Sequence, residues 1–395
     1  MRIVINGMFW REPTVGSGQY LYSLLEGLQQ IAPEHEYILL RPAYHLDKRR
    51  RTNDERRTTT TSSIVLRPSS FAITTPFDQR NENLAKLWFE QVGVPCAAQH
   101  LHADLLHVPY AAPPLRASVP VVTTIHDIIW WLLPEYRGSR AARAYFRLIP
   151  PAARLAAHIL ADSEHSRRDI ITHFGIAPER VSTVLLAAGS QYKPIDKAEA
   201  RHTVALRYGL HEPFVYYVGG LDARKNVPML LHAWARLRSA GGPRATLVVA
   251  GRALGGNPQL FPDIDALIAE LGIADTVRRI DVPRADNPLL YSAATVFAFP
   301  SRYEGFGLGP LEAMACGTPV VVADASSLPE VVGDAAVRVP PDDVAGWTTA
   351  LWRLLADERL REDLRQRGLK RAQHFSYERV ARETLAVYEQ ISLQR

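Results

Sequence analysis

Two stretches of this 395-residue chain place charge where a phosphorylated ligand could be held. In Phe214 to Asn226, FVYYVGGLDARKN, an apolar run ends at Gly219-Gly220, and Arg224-Lys225 arrive just before a helix predicted to begin near Asn226. The glycines let backbone approach a ligand closely. Two adjacent cations at a helix N-terminus form a grip for a diphosphate, each charge-assisted contact contributing about 1.5 to 3 kcal/mol. The same letters also fit a solvated Arg-Lys pair in an exposed turn.

The second stretch is Phe297 to Cys316, FAFPSRYEGFGLGPLEAMAC, followed by GTPVVVAD. A strand ends at Pro300, a Gly-rich turn carries Glu304, and a helix starting near Leu308 carries Glu312 in its early turns. Glu304 can face a sugar from the loop, while Glu312, lower on the helix, can accept hydrogen bonds from a ribose diol. Amides near Gly307 to Gly309 would face phosphates. Alternatively, Glu312 is an acid favoured by the helix dipole and Glu304 an ordinary surface residue. Breaking a bond between an anomeric carbon and a diphosphate builds negative charge on the leaving group, so cations and amide donors in these positions suit that chemistry.

Both stretches lie at the carboxyl end of a predicted strand, where open α/β sheets bind ligands. With 47% apolar and 9% aromatic residues the chain can bury large cores, and its length favours two domains. Short Val/Ile/Thr-rich runs alternate with amphipathic stretches, the pattern of an α/β protein with parallel sheets. Strands are predicted at Arg2 to Asn6, Tyr37 to Arg41, Ile64 to Arg67, Leu105 to Val108, Val119 to Ile125 and His158 to Asp162. A second set covers Phe214 to Val218, Thr246 to Ala250, Val277 to Asp281, Val296 to Phe299 and Pro319 to Ala323. Helices are expected at Ser17 to Gln30, Asn81 to Val92, Arg140 to Ala157 and Tyr377 to Ile391. Two doubly wound domains follow, residues 1–195 and 196–376, with a terminal helix over 377–395. The polar segment His45 to Ser63 predicts a mobile surface loop.

Composition excludes several classes. No stretch approaches the roughly 20 apolar residues of a membrane span, and the N-terminus runs directly into a strand, so a cytoplasmic location is expected. Cys96 and Cys316 stand in unrelated contexts without metal-ligand spacing. The net charge of +5 is too small to argue for nucleic acid. A dinucleotide-dependent oxidoreductase is disfavoured, because IVINGMFWREPTVGSG gives no GxGxxG directly after the first strand.

The segment SRYEGFGLGPLEAMACGTPVVVADASSLPEVVGDAA, together with VGGLDARKN, resembles the nucleotide-binding signature of glycosyltransferase family four. Further family-like pieces are NGMFWREPTVGSGQYLYSLLEGL, LLHVPY, TTIHDIIW and ADSEHSRRDI. The resemblance implies a GT-B fold, two Rossmann-like domains facing each other across a cleft, the C-terminal helix packing back toward the N-domain. It implies a retaining, metal-independent transferase whose donor is a nucleotide diphosphate sugar, with no cofactor required. On this likeness Arg224 and Lys225 hold the diphosphate, Glu304 contacts donor-sugar hydroxyls and Glu312 binds the ribose. Gly219, Gly220, Gly305, Phe306, Gly307, Leu308 and Gly309 complete the donor site. Gly16 and Gly18 form the N-terminal glycine loop, and His126 matches the active-site His at the end of an N-domain strand. Asp127 is either its neighbour in the site or a cap for the next helix.

Two departures stand out. Gly309 precedes Pro310 where the family often has proline directly after GFGL. IDVP, with Val282 at the nucleobase-contacting turn, lacks the usual glycine. The RKN grip and the SSLPEVVGDAA ending look most like mannosyl- and rhamnosyltransferases of bacterial surface-polysaccharide assembly, which makes GDP-mannose the first expectation for the donor and a saccharide or polyprenyl-linked saccharide the acceptor. Arg140, Arg143, Arg147 and Arg154 lie among Tyr145, Phe146, Leu148, Ile149 and Leu155. They form either a surface that rests on anionic lipid or an ordinary solvated basic face. A 2-epimerase-like enzyme of the same architecture and a non-catalytic nucleotide-sugar-binding protein are the alternatives.

Overall fold

The computed structural model describes residues 1–10, 16–43, 69–211, 213–253 and 255–393. The chain divides into two compact units: Met1–Trp131, Arg137–Leu185 and Tyr377–Arg395 form the first, Leu132–Tyr136 and Leu186–Ser376 the second. Each is built on a parallel sheet, as the alternating pattern predicts.

In the first unit β1 (Arg2–Asn6), β2 (Glu36–Pro42), β3 (Ser69–Ile73), β4 (Leu105–Val108), β5 (Val121–Ile125), β6 (His158–Ala161) and β7 (Val181–Thr183) are ordered β3-β2-β1-β4-β5-β6-β7. The order reverses beside β1, so the carboxyl ends of β1 and β4 flank a topological switch point. Strands β4, β5 and β6 are buried throughout, as expected of a parallel sheet covered on both faces. The expected strand Ile64 to Arg67 and the expected loop His45 to Ser63 fall outside the described residues.

The helix expected over Arg140 to Ala157 is instead two, Arg140–Phe146 and Ile149–Leu155. Pro150-Pro151 explains the break: proline cannot donate inside a helix but suits a first turn, and here it opens the second helix. Asn81 to Val92 likewise divides, into Glu82–Trp88 and a π-helical turn at Phe89–Gly93.

The second unit holds β8 (Phe214–Val218), β9 (Thr246–Ala250), β10 (Val277–Ile280), β11 (Val296–Phe299), β12 (Val320–Ala323) and β13 (Val337–Val339), ordered β10-β9-β8-β11-β12-β13. Its switch point lies between β8 and β11, and the two motif-bearing loops leave from these two strands. Registers Val296↔Val215 and Phe297↔Tyr216 fix their relative height.

The terminal helix Tyr377–Leu393 belongs to the first unit and packs on the helix Gly16–Ile31. Gly27 makes that approach possible: a Cβ there would stand 2.9 Å from Ala381 Cβ and 3.0 Å from the Tyr377 carbonyl oxygen. Gly27→Leu should therefore overpack the pair and lower stability by about 1–3 kcal/mol in thermal unfolding. Gly256→Ala, whose added methyl would meet nothing within 4 Å, is the control. Equal melting temperatures for the two variants would contradict the close packing.

Candidate functional site

In the second unit the chain leaves β8 through Gly219 and Gly220 into a short 3-10 turn, Ala223–Lys225, then enters the helix Val227–Ser239. Asn226 joins them in the left-handed region (φ 58°), a conformation asparagine tolerates, and its side-chain amide donates to the Pro341 carbonyl at 2.7 Å. From β11 a loop reaches the helix Leu308–Ala315, with Gly307 at its mouth at φ 119°. A Cβ at Gly307 would be strained and would meet Leu328 Cδ2 at 2.8 Å, so the turn demands glycine. Gly309 sets that helix against β11: its Cβ position lies 3.4 Å from the Phe299 ring and 3.5 Å from Phe297.

The two loops meet through charge. Lys225 Nζ lies 2.6 Å from Glu304 Oε1, and Arg224 Nη1 lies 2.9 Å from Glu304 Oε2. All three side chains are largely buried. Ser301 donates to Glu304 Oε1 at 2.6 Å, and Arg224 Nη1 also donates to the Tyr303 carbonyl at 2.8 Å. The Glu304 loop is pinned from behind. Its amide donates to Ser326 Oγ at 2.9 Å, and Ser327 Oγ donates to the carbonyls of Glu304 and Phe306. Burial alone would push the Glu304 carboxyl up, but Lys225 and Arg224 outweigh it and hold it below its ordinary value. Asp222 adds a further carboxylate, 3.4 Å from Arg224 Nε, and receives a hydrogen bond from Tyr136.

Glu312 occupies a different environment. Its buried carboxylate accepts from Tyr291 at 3.2 Å, and Arg284 Nη2 stands 3.7 Å away. Burial pushes this carboxyl up to about 7, against the opposing pull of Arg284 and the hydroxyls of Tyr192 and Tyr291. Two carboxyls from one short segment thus have their pKa values shifted in opposite directions. Val282, half-buried in the turn after β10, lies two positions before Arg284. Gly305 and Phe306 are buried in the loop and Leu308 opens the helix, so the amides of Leu308 and Gly309 lie in its first turn.

In the first unit His126 directly follows β5 and Asp162 directly follows β6. His126 Nδ1 lies 2.7 Å from Asp162 Oδ2, and the edge of the Tyr20 ring packs on the imidazole. Burial lowers the affinity of His126 for its proton, but the Asp162 carboxylate outweighs that and raises its pKa. Behind this pair Tyr20 and His107 share Thr124 Oγ1 at 3.0 and 2.9 Å, and Tyr388 of the terminal helix lies 2.6 Å from His107 Nδ1. His107 is pushed down to about 3 by burial and is therefore neutral. Asp127 Oδ1 accepts the Ile129 amide at 3.1 Å, just ahead of the short helix Ile129–Leu132. Gly16 and Gly18 lie in the first turn of the helix Gly16–Ile31.

The structure thus joins Arg224, Lys225 and Glu304 directly and sets Glu312 with Arg284. His126, Gly16 and Gly18 belong to the other unit. Sequence reasoning missed Asp162, Tyr136, Ser301 and Ser326. Asp162 had one available signal, an acid at the mouth of a fully buried strand; Tyr136, 86 residues from Asp222, had none. Among the described residues no group of three or more His, Cys, Asp or Glu is arranged to hold a metal ion.

Comparison with known proteins gives the family and the fold. The family profile described as Glycosyltransferase Family 4 matches residues 15–185, and that described as Glycosyl transferases group 1 matches residues 205–371. O-antigen chain mannosyltransferase B of Escherichia coli is 35% identical over 270 residues, covering 68% of this chain and 70% of that protein. The MMP alpha-(1->4)-mannosyltransferase of Mycolicibacterium hassiacum is 33% identical over 293 residues, covering 69% and 66%. Among solved structures, Anabaena HepE in complex with UDP and glucose superimposes with a TM-score of 0.73 at 19% identity, over 99% of this chain and 100% of that one. That likeness establishes the GT-B fold.

The His126–Asp162 pair gives a pH signature. With its folded pKa raised above the ordinary value of about 6.5, His126 contributes stability that is complete below that ordinary value and is lost as pH rises through the raised one. NMR titration of the His126 ring should give a midpoint above the ordinary value. In Asp162→Asn it should fall, since burial is then opposed only by Asp127 and the backbone bond to Pro109. An unchanged midpoint would contradict the assignment.

Proposed function

This chain belongs to the glycosyltransferases, with a family 4 module followed by a group 1 module, and from that premise we propose that it is a retaining mannosyltransferase that uses GDP-mannose and extends a saccharide or lipid-linked saccharide of a cell-surface polysaccharide. The observation that carries this reading is the convergence of Arg224, Lys225 and Glu304 at the carboxyl ends of β8 and β11, beside the start of the helix Leu308–Ala315. The mannose donor is supported by the two mannosyltransferase relatives and by the RKN form of the grip.

In this reading Arg224, Lys225 and the amides of Leu308 and Gly309 take the charge that builds on the departing diphosphate. The bond between the anomeric carbon and the phosphate oxygen breaks, a bond to the acceptor oxygen forms on the same face, and the acceptor proton passes to the departing phosphate oxygen. The same cations and amides supply the positive field that a metal ion supplies elsewhere, so the reaction proceeds without one. Glu304 receives sugar hydroxyls and Glu312 the ribose diol. Gly219, Gly220, Gly305, Phe306 and Gly307 shape the backbone around the donor, and Val282 lies against the base. His126 hydrogen-bonds a donor hydroxyl, with Asp162 fixing its ring, and Gly16 and Gly18 approach the donor phosphates.

The acceptor side carries a second reading. Arg140, Arg143, Arg147 and Arg154 are exposed, whereas Phe146 stacks on Trp130 and Tyr145 donates to buried Glu90. The outward surface is therefore basic rather than amphipathic, Leu155 being its exposed apolar residue at 65%. An anionic membrane surface would be met electrostatically, at the inner face of the cytoplasmic membrane. No described helix is long and apolar enough to cross a membrane.

Thermal-shift measurements across GDP-, UDP-, ADP- and dTDP-sugars test the donor, a ligand at 100 times its dissociation constant adding about 2.7 kcal/mol. GDP-mannose should raise the melting temperature most, and Lys225→Ala should cut turnover by a factor on the order of 10². Stabilisation by none of the four, or near-wild-type turnover in the variant, would overturn the reading. Sedimentation with anionic liposomes should succeed at low salt and fail at high salt. Negligible pelleting in both would remove the membrane contact.

A further inference from the structure

The diphosphate grip is already occupied by an anion. Glu304 presents one carboxylate oxygen to Lys225 at 2.6 Å and the other to Arg224 at 2.9 Å, the two-oxygen pattern that a pyrophosphate would offer. We propose that Glu304 is the internal counter-anion of the donor-free site and thereby the residue that selects the sugar nucleotide over its own spent nucleoside diphosphate. This deepens the glycosyltransferase reading and rests on it.

A diphosphate entering the grip takes both cations, and Glu304, whose side chain is 12% exposed, loses both ion pairs at once. The hydroxyl of Ser301 remains, as do the bonds that hold the loop backbone through Ser326 and Ser327. A buried carboxylate stripped of its charged partners is strongly unfavourable, because its desolvation is no longer offset. Sugar hydroxyls delivered with the diphosphate can donate to that carboxylate and restore the balance. A sugar nucleotide therefore satisfies the cations and the anion together, whereas a nucleoside diphosphate satisfies only the cations. After transfer the sugar is gone, Glu304 is again without charged partners, and its return to Lys225 and Arg224 competes directly with the product for the grip. The backbone bonds from Ser326 and Ser327 keep the loop in place throughout, so the exchange needs only side-chain motion.

Titration calorimetry of GDP, UDP, ADP and dTDP and of their sugar conjugates, against wild type and Glu304→Gln, tests this. The glutamine keeps the shape but not the charge, so the best-binding nucleoside diphosphate should tighten by about tenfold or more in the variant while its sugar conjugate does not, and selectivity for the conjugate should fall accordingly. Glu304→Asp, which withdraws the carboxylate by one methylene, should shift selectivity in the same direction by a smaller factor. A damaged fold would weaken both ligands together. Unchanged or weaker nucleoside diphosphate binding in the folded variants, with normal wild-type binding, overturns this inference alone. Failure of wild type to bind any of the eight ligands overturns the glycosyltransferase reading, and this inference with it.

Discussion

One carboxylate holding two cations is the interaction on which the rest of the second unit depends. Lys225 and Arg224 come from the loop after β8, Glu304 from the loop after β11, and neither loop could carry its buried charge alone. A buried ion pair is retained only where geometry and accessory hydrogen bonds offset desolvation. Ser301 and the Tyr303 carbonyl provide those bonds here. The lowered affinity of Glu304 for its proton is the electrostatic measure of that compensation.

The scaffold explains why the charges can meet. In a parallel sheet, adjacent strands on either side of a switch point open their carboxyl ends together, and the register of β8 with β11 sets the two loops at one height. Gly307 turns the second loop into its helix, and the serines at 326 and 327 clamp it from a third segment. The first unit repeats the logic on a smaller scale: β5 and β6 are neighbours, so residues 126 and 162 meet immediately beyond them.

Much of this was legible in the sequence. β8, β9 and β11 fall at the predicted bounds, because each is a β-branched or aromatic run ended by glycine or proline. β7 and β13, three residues each at a sheet edge, are too short for periodicity to register. The types and places of Arg224, Lys225, Glu304 and Glu312 were readable from the motifs, but the pairing of Glu304 with both cations was not. That pairing depends on contacts across the 79 residues from Lys225 to Glu304 and one more from Arg224, and on a serine clamp 22 residues downstream. Asp162 escaped notice for the same reason, since its partner lies 36 residues away, just beyond another strand. The upward shift of the Glu312 pKa arises from burial that outweighs Arg284, Tyr192 and Tyr291, which spacing along a helix does not encode.

In the proposed cycle donor binding is an exchange of partners, in which diphosphate replaces carboxylate on the cations and sugar hydroxyls replace the cations on the carboxylate. A crystal structure of the protein with an intact, non-transferable sugar nucleotide tests this most directly. It should show diphosphate oxygens within hydrogen-bond distance of Arg224 and Lys225, with the Glu304 carboxylate turned to the sugar. A bound donor whose diphosphate lies elsewhere, with Glu304 still paired to both cations, would contradict it.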